Sequence, residues 1–445
     1  MKVMKFGGTS VGTAASIQKT AAIVAGAAQE QPVVVVVSAL SGVTDALIQA
    51  ADDARSRKRH PTEIMEDLKE RHAGICTDLG LDSDEILAPI EALTEVLHGI
   101  HYLRELTPRS YDYVLSHGEL LSSRIVAAYL NSQGTQAAPM TGWDAGILTN
   151  DNHGNAAVLA ESYERIPKQL DPTQGTTYIV TGFLAQTEKG ERTTLGRGGS
   201  DYSAAILGRA LGASEIQIWT DVNGILSSDP RVVSNAFTLD VVTFQEAAEL
   251  AFFGARVIHP KTIEPALNAG IPVRVLNTFE PDHPGTQIVA GRRDTEREIV
   301  ALAAKKGNTI LTLDSTRMLD AEGYLATVFE ILKAHGISVD AISTSEVSVC
   351  MTVEKRYSDA LQLAAKELEQ FAQVELRPGR AIICCVGAGM QNRPGTAAKV
   401  FSAAQQANAN IEMISMGSSR INLTFVVRDE DADHTLRTLH SELIG

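Results

Sequence analysis

Val33-Val-Val-Val-Val37 decides the architecture of the first part of this chain. Five consecutive β-branched apolar residues leave no polar face. A strand of this kind must be covered on both sides, as in a parallel sheet held between helices. It is also far too short to span a bilayer. Upstream, Lys2 to Phe6 reads as another strand, followed by a glycine turn and a helix from about Thr13 to Ala28. Downstream, Val43 to Arg57, most of Thr62 to Tyr102, and Ser110 to Asn131 read as helices, the last as one long helix. Tyr178 to Gly182 and Glu215 to Thr220 read as strands, and Val273 to Leu276 closes the series. Strand–helix alternation over this length predicts an αβα sandwich with a mainly parallel sheet.

Bulk properties bound what the protein does. A chain of 445 residues predicts more than one domain. Lys and Arg total 39 against 54 Asp and Glu, a net charge of −15. That argues against nucleic-acid or anionic-membrane partners, which need clustered positive charge. The four cysteines, Cys76, Cys350, Cys384 and Cys385, form no C-x-x-C pair. Zinc and thioredoxin-like readings therefore fail, and thiols in a reducing compartment are expected. The N-terminal stretch has no signal-peptide apolar core, so a cytoplasmic location is expected.

Composition shifts at Asn277 to Arg293, with prolines, glycines and charges, and predicts a domain boundary near residue 295. Beyond it lies an internal repeat. Residues 310–353 recur without gaps at 382–425, 72 positions on, with matches such as Gly323/Gly395, Phe329/Phe401, Ile342/Ile414 and Thr352/Thr424. The first copy reads βαββαβ. The second stops before a sixth strand, while an orphan strand, Ile299 to Ala304, precedes the first copy. The expectation is that this strand completes the second copy's sheet, since an open edge invites aggregation. The expected domains are 1–295, then 306–380, then 296–305 together with 381–445.

Five motifs carry chemistry. Lys5-Phe-Gly-Gly-Thr-Ser10 ends the first strand, where open α/β sheets bind ligands. Gly7 and Gly8 can bring N–H groups to phosphate, and Lys5 can meet a transferred phosphoryl group. Alone, the motif equally fits a tight turn with an exposed lysine. Ser116-His-Gly-Glu119 puts a glycine in a strong helix at a cost of ~1 kcal/mol, as if something approaches there. Glu119 could bind an ammonium or could simply be solvated, and His117 reads as a packing residue. Thr194-Leu-Gly-Arg-Gly-Gly-Ser-Asp201 is the most specific signal: glycines and a helix N-terminus for an anion, Arg197 for a carboxylate, and Asp201 as a catalytic carboxylate. Trp219-Thr-Asp-Val-Asn-Gly224 and Asp229-Pro-Arg231 suit a nucleotide platform, with Asp221 toward ribose or adenine and Arg231 toward phosphate. Phe253-Gly-Ala-Arg-Val-Ile-His-Pro260 supplies Arg256 as another fixed positive charge. Together these residues can neutralise a triphosphate and hold a zwitterion, which is most of what phosphoryl transfer asks of a protein.

In these motifs, their order and their spacing, the chain resembles the aspartate kinase (aspartokinase) family over its full length. The resemblance implies an amino-acid-kinase fold followed by two interleaved βαββαβ ACT domains. It implies Lys5 and Asp201 as catalytic residues, and Thr44, Glu119, Arg197, Gly198 and Ser200 as contacts to L-aspartate. Lys5, Gly7, Gly8, Thr220, Asp221, Arg231 and Arg256 become contacts to ATP. Arg256 stands where the family often has lysine, which keeps charge but changes geometry. The implied reaction is attack of the aspartate side-chain carboxylate on the γ-phosphorus of ATP, giving 4-phospho-L-aspartate and ADP. No general base is needed, because a carboxylate is ionised at neutral pH. Mg2+ is expected to be held by phosphate oxygens and water, with no protein metal site.

The resemblance further implies effector binding between ACT domains of two subunits, hence a homodimer or higher homo-oligomer. In the first copy Met318, Tyr324, Leu325, Val339, Asp340, Ser345 and Glu346 look like a lysine-sensitive site, with the two acids as partners for an ε-ammonium. The second copy has Glu412 and Ser418 at the corresponding places. The alternatives weighed are a relative acting on glutamate or acetylglutamate, a non-catalytic amino-acid-binding regulator, and a fusion with homoserine dehydrogenase. The blocked amine of acetylglutamate would leave Glu119 without a purpose. The regulator is disfavoured by the joint presence of Lys5, Glu119, Arg197 and Asp201. The fusion is not expected, as no G-x-G-x-x-G follows a late strand.

Overall fold

The computed structural model describes residues 1–253, 258–291, 297–318, 322–417 and 421–445, without the side chains of Pro260, Arg317 and Asn392. Two compact units emerge. The first comprises Met1–Ile225, Asp240–Phe244 and Val257–Gly291; the second comprises Leu226–Leu239, Gln245–Arg256 and Arg292–Gly445.

In chain order the first unit begins with β1 (Lys2–Phe6), α1 (Ala14–Glu30), β2 (Val33–Val37), α2 (Val43–Ser56), α3 (Pro61–Asp78), α4 (Asp84–Leu87) and α5 (Pro89–Leu103). Next come α6 (Pro108–Leu115), α7 (His117–Ser132), β3 (Ala137–Met140), β4 (Leu148–Thr149), α8 (Ser162–Gln169), β5 (Thr177–Thr181), β6 (Leu184–Thr187) and β7 (Arg192–Thr194). Then follow α9 (Gly199–Leu211), β8 (Glu215–Thr220) and β9 (Val241–Thr243). After α10 (Phe244–Phe253), most of which belongs to the second unit, come α11 (Pro260–Asn268), β10 (Val273–Asn277) and β11 (Thr286–Val289).

The main sheet runs β3-β5-β2-β1-β8-β10-β11-β9. Its first six strands are parallel. The five valines of β2 are all buried at its centre, and helices cover both faces. Two sequence expectations change. Val273 to Leu276 does not close the series, because β11 pairs antiparallel with β10 and β9 pairs with β11. Only alternate residues of β11 are buried, so its short pattern is hidden in what reads as linker. The expected long helix over 110–131 divides at Ser116. There Ser116 Oγ donates to the Tyr113 carbonyl at 2.7 Å, and the same oxygen lies 2.9 Å from His117 Nδ1. These side chains compete with the helical ladder.

The second unit carries β12 (Ala301–Asp314), α12 (Tyr324–Ala334), β13 (Val339–Thr344), β14 (Ser348–Glu354), α13 (Ser358–Leu368) and β15 (Gln373–Val386). α14 (Thr396–Gln406), β16 (Met413–Met416), β17 (Asn422–Arg428) and α15 (Ala432–Leu443) complete it. Its antiparallel sheet runs β13-β14-β12-β15-β17-β16. The orphan strand and the first strand of the first copy are one continuous element, β12. Residues 301–305 of β12 pair with 382–386 of β15 in the half that holds β17 and β16. Residues 308–314 pair with β14 in the other half. The register shift between the two stretches falls around Gly307, which has a φ of +77°. The two βαββαβ copies thus interleave through two shared 14-residue strands. Each copy has its own core, one around Val328, Leu332 and Leu361, the other around Val400, Phe425 and Leu436.

Candidate active site

A cavity of about 470 Å³ opens in the first unit. Its walls bring together Lys5 from β1, Thr44 from α2, Glu119 from α7, and Arg197, Gly198, Ser200 and Asp201 from the loop into α9. Lys5 Nζ lies 2.6 Å from Asp201 Oδ1, and both side chains are mostly buried. Asp201 is in the first turn of α9, where the helix dipole favours a negative group. The pair therefore fixes the Lys5 ammonium in the cavity wall.

Glu119 is 4 % exposed. Its Oε1 accepts from the Ala39 N–H at 3.1 Å, and its Oε2 has no hydrogen-bond partner among the described residues. Burial pushes its carboxyl up to about 8, against the opposing pull of the Ala39 N–H and Lys5. A Cβ on Gly118 would stand 2.7 Å from the Ala39 side chain. That close approach explains the glycine inside α7: it lets the helix dock on the loop that donates to Glu119. His117 is buried and faces Arg192, and burial lowers its imidazole to about 4, so it packs as a neutral ring.

Two glycines shape the Arg197 loop. Gly196 and Gly198 have φ of +75° and +72°, and a Cβ at Gly196 would meet Asn155 Oδ1 at 2.6 Å. Arg197 is exposed at the cavity and has no acidic partner among the described residues. A free guanidinium and a half-satisfied buried carboxyl thus share one chamber with a lysine–aspartate pair. That set can bind the carboxylate and ammonium of an amino acid and meet a transferred anion.

The nucleotide candidates are less uniform. Gly7 N–H is taken by the Trp219 carbonyl at 3.0 Å, so it cannot cradle phosphate as expected. Gly8 remains available, beside the carboxyl ends of β8, which ends at Thr220 with Asp221 next in the chain, and of β10. Thr220 Oγ1 donates to Asp221 at 3.2 Å. Arg231 falls in the second unit, with its guanidinium on Asp229 at 2.6 Å rather than free. Arg256 lies outside the described residues.

Sequence reasoning missed Ser38, Tyr111, Gly154 and Phe183, all of which line the cavity. Ser38 and Phe183 follow the carboxyl ends of β2 and β5, a position that flags them by topology once the sheet order is known. Phe183 also sits at φ +66°, uncommon for a bulky residue.

In the first regulatory copy, Asp340 is not free. Lys305 Nζ sits 2.6 Å from it and 2.9 Å from Glu354. Arg377, 72 residues on from Lys305, holds Glu412, 72 residues on from Asp340, at 2.7 Å. The repeat therefore extends back to residue 305 and includes a cation–carboxylate pair in each copy. Glu346 and Ser345 are exposed just beyond β13. Leu325 is exposed, and Met318, Tyr324 and Val339 pack partly on the core, with Tyr324 Oη buried and unpartnered among the described residues. Ser418 lies outside the described residues.

Residues 1–277 match the amino acid kinase family, and 311–369 and 383–443 match the ACT domain. The chain is 40 % identical to aspartokinase 1, chloroplastic, of Arabidopsis thaliana, over 98 % of this chain and 79 % of that one. It is 38 % identical to lysine-sensitive aspartokinase 3 of Escherichia coli, over 99 % and 98 %. The structure of E. coli aspartokinase III with lysine and aspartate superposes with a TM-score of 0.85 at 36 % identity, covering all of both chains. A kinase domain with two ACT domains, matched along its whole length, places this chain in the aspartokinase family.

Proposed function

We propose that this kinase transfers the γ-phosphoryl group of ATP to the side-chain carboxylate of L-aspartate, and that lysine inhibits it. The observation that carries the reading is the convergence of Lys5, Glu119, Arg197 and Asp201 on one cavity. Glu119 Oε2 receives the α-ammonium, and Arg197, with Thr44, Gly198 and Ser200, fixes the α-carboxylate. The side-chain carboxylate then points to Lys5. The catalytic difficulty is electrostatic: two anions must meet. Lys5, held by Asp201, offsets the charge on the phosphoryl group in flight. The aspartate carboxylate is already ionised and attacks in line, with ADP leaving. Gly8, Thr220 and Asp221 form the nucleotide edge. Mg2+ would be held by the phosphate oxygens and water, where it would neutralise charge. The product, 4-phospho-L-aspartate, would lead toward lysine, threonine and methionine.

For regulation, the relative named as lysine-sensitive supports lysine as effector. Asp340, in β13, is held by Lys305, which leaves the exposed Glu346, past the end of that strand, as the partner of the effector's ε-ammonium, in a homo-oligomer built through the ACT domains. A cytoplasmic enzyme is proposed in keeping with four free cysteines. The test is ATP-dependent acyl-phosphate formation trapped with hydroxylamine, across L-aspartate, L-glutamate and N-acetyl-L-glutamate, with lysine or threonine added. Turnover of aspartate alone, suppressed by lysine, is the expected result. Turnover of another acid, or inhibition by threonine and not lysine, would overturn the corresponding half.

A further inference from the structure

Asp112 is fully buried on α6 and lines no wall of the cavity, yet every donor it accepts comes from segments that do. The Gly154 N–H donates to both its oxygens, at 3.1 and 3.0 Å. The Thr194 N–H and hydroxyl donate at 3.2 and 2.6 Å. His153 Nδ1 lies at 2.9 Å. Gly154 and Thr194 both line the cavity, as do Tyr111 and Leu115 on the same helix as Asp112. The two segments are also tied directly, Ala156 N–H to the Thr194 carbonyl at 2.9 Å.

The position of Thr194 matters because Arg197 is three residues further on. Between them lies Gly196, in the left-handed region, and beyond them Gly198, also left-handed. Such a loop has little stiffness of its own. Its rigidity must come from its ends: α9 on one side and Thr194 on the other. A buried carboxylate is costly unless fully hydrogen-bonded. Asp112 meets that cost only when the 153–154 segment and Thr194 are both seated against α6, so the charge selects one placement of the loop.

We propose that Asp112 is a positioning residue for substrate recognition, setting the Arg197 clamp on the α-carboxylate through Thr194. The inference rests on the aspartate reading above. Asp112→Asn replaces an acceptor-only group by one with an NH2 facing N–H donors, which disturbs the arrangement while keeping shape.

The experiment is steady-state kinetics with L-aspartate and ATP varied separately, on the wild type, Asp112→Asn, Thr194→Val and Thr194→Ser, with thermal unfolding alongside. The expected result is a KM for aspartate raised roughly 10- to 100-fold in Asp112→Asn, as a small misplacement of a clamp does, with the KM for ATP unchanged. Thr194→Val should repeat the split more weakly, and Thr194→Ser, which keeps the hydroxyl, should restore it. Should Asp112→Asn not fold, the threonine pair carries the test alone. A lowered unfolding temperature with unchanged KM for aspartate, or equal rises in both KM values, would overturn the inference. A wild type without aspartate turnover would remove the activity itself, a failure visible before any variant is made.

Discussion

Lys5 and Glu119 show how single residues are tuned by what surrounds them. The Lys5 ammonium is fixed by Asp201, 2.6 Å away, so removing it deletes a charge aimed at the reacting phosphoryl group. Lys5→Ala should lower kcat roughly 100- to 1,000-fold, as loss of one preorganised electrostatic group does, with circular dichroism unchanged. A variant within a few-fold of wild type would remove Lys5 from the chemistry. Glu119 carries a pH dependence. Burial holds its carboxyl near 8, so the folded chain keeps a proton that the unfolded chain, near 4.5, has lost. Stability contributed at this site is thus greatest below about 4.5 and falls as pH rises toward about 8. Glu119→Gln should therefore raise the unfolding temperature at pH 7, the relief being up to about 3 kcal/mol. An ammonium ligand needs the ionised form, so the KM for aspartate should fall as pH rises toward about 8 in the wild type and lose that dependence in Glu119→Gln. The glycines of the 194–201 segment and Gly118 drew notice because glycine inside regular structure is costly unless something requires it. Ser38, Phe183 and Asp112 did not, since each acts through neighbours distant in sequence.

Elements explain the rest. The sequence shows that something approaches α7 at Gly118, and the structure identifies it as Ala39, the residue whose N–H binds Glu119. Gly118→Ala would gain about 1 kcal/mol of helix propensity but press against Ala39. The expected result is weaker aspartate binding by calorimetry despite a better helix former. Unchanged affinity would show that the contact gives way freely. β12 and β15 illustrate what periodicity conceals. A strand shared between two repeats reads as two strands, because Gly307 interrupts the pattern at the register shift. The same strands carry Lys305 and Arg377, whose partners Asp340 and Glu412 are 4 % and 7 % exposed. Sequence alone offers Asp340 to an external ammonium, because the internal one arrives from a strand 35 residues away. Lys305→Met leaves that buried carboxylate unpaired, at a cost of about 3 kcal/mol. It should be read as faster amide exchange in β12 and β14, and unchanged protection would mean the pair is dispensable.

At the scale of the whole molecule, a parallel sheet with a charged cavity is followed by an interleaved pair of sensor folds. Both were legible, the first from continuous apolar strands and the second from a gapless 72-residue repeat. The placement of β9 and β11 was not, since short half-buried strands carry little pattern. The exposed Glu346 belongs to this scale, because the regulation proposed above places the effector between two chains. Glu346→Gln should raise the lysine concentration for half-inhibition at least about tenfold, as the loss of a charged partner does, without changing kcat. An unchanged response would move the effector elsewhere. The central claim is that one cavity grips both charged ends of L-aspartate beside Lys5. A crystal structure with L-aspartate and a non-hydrolysable ATP analogue tests it most directly. The expected density has the α-ammonium on Glu119 Oε2, the α-carboxylate on Arg197 and the side-chain carboxylate facing Lys5. Aspartate bound with its ammonium away from Glu119, or outside this cavity, would contradict the account.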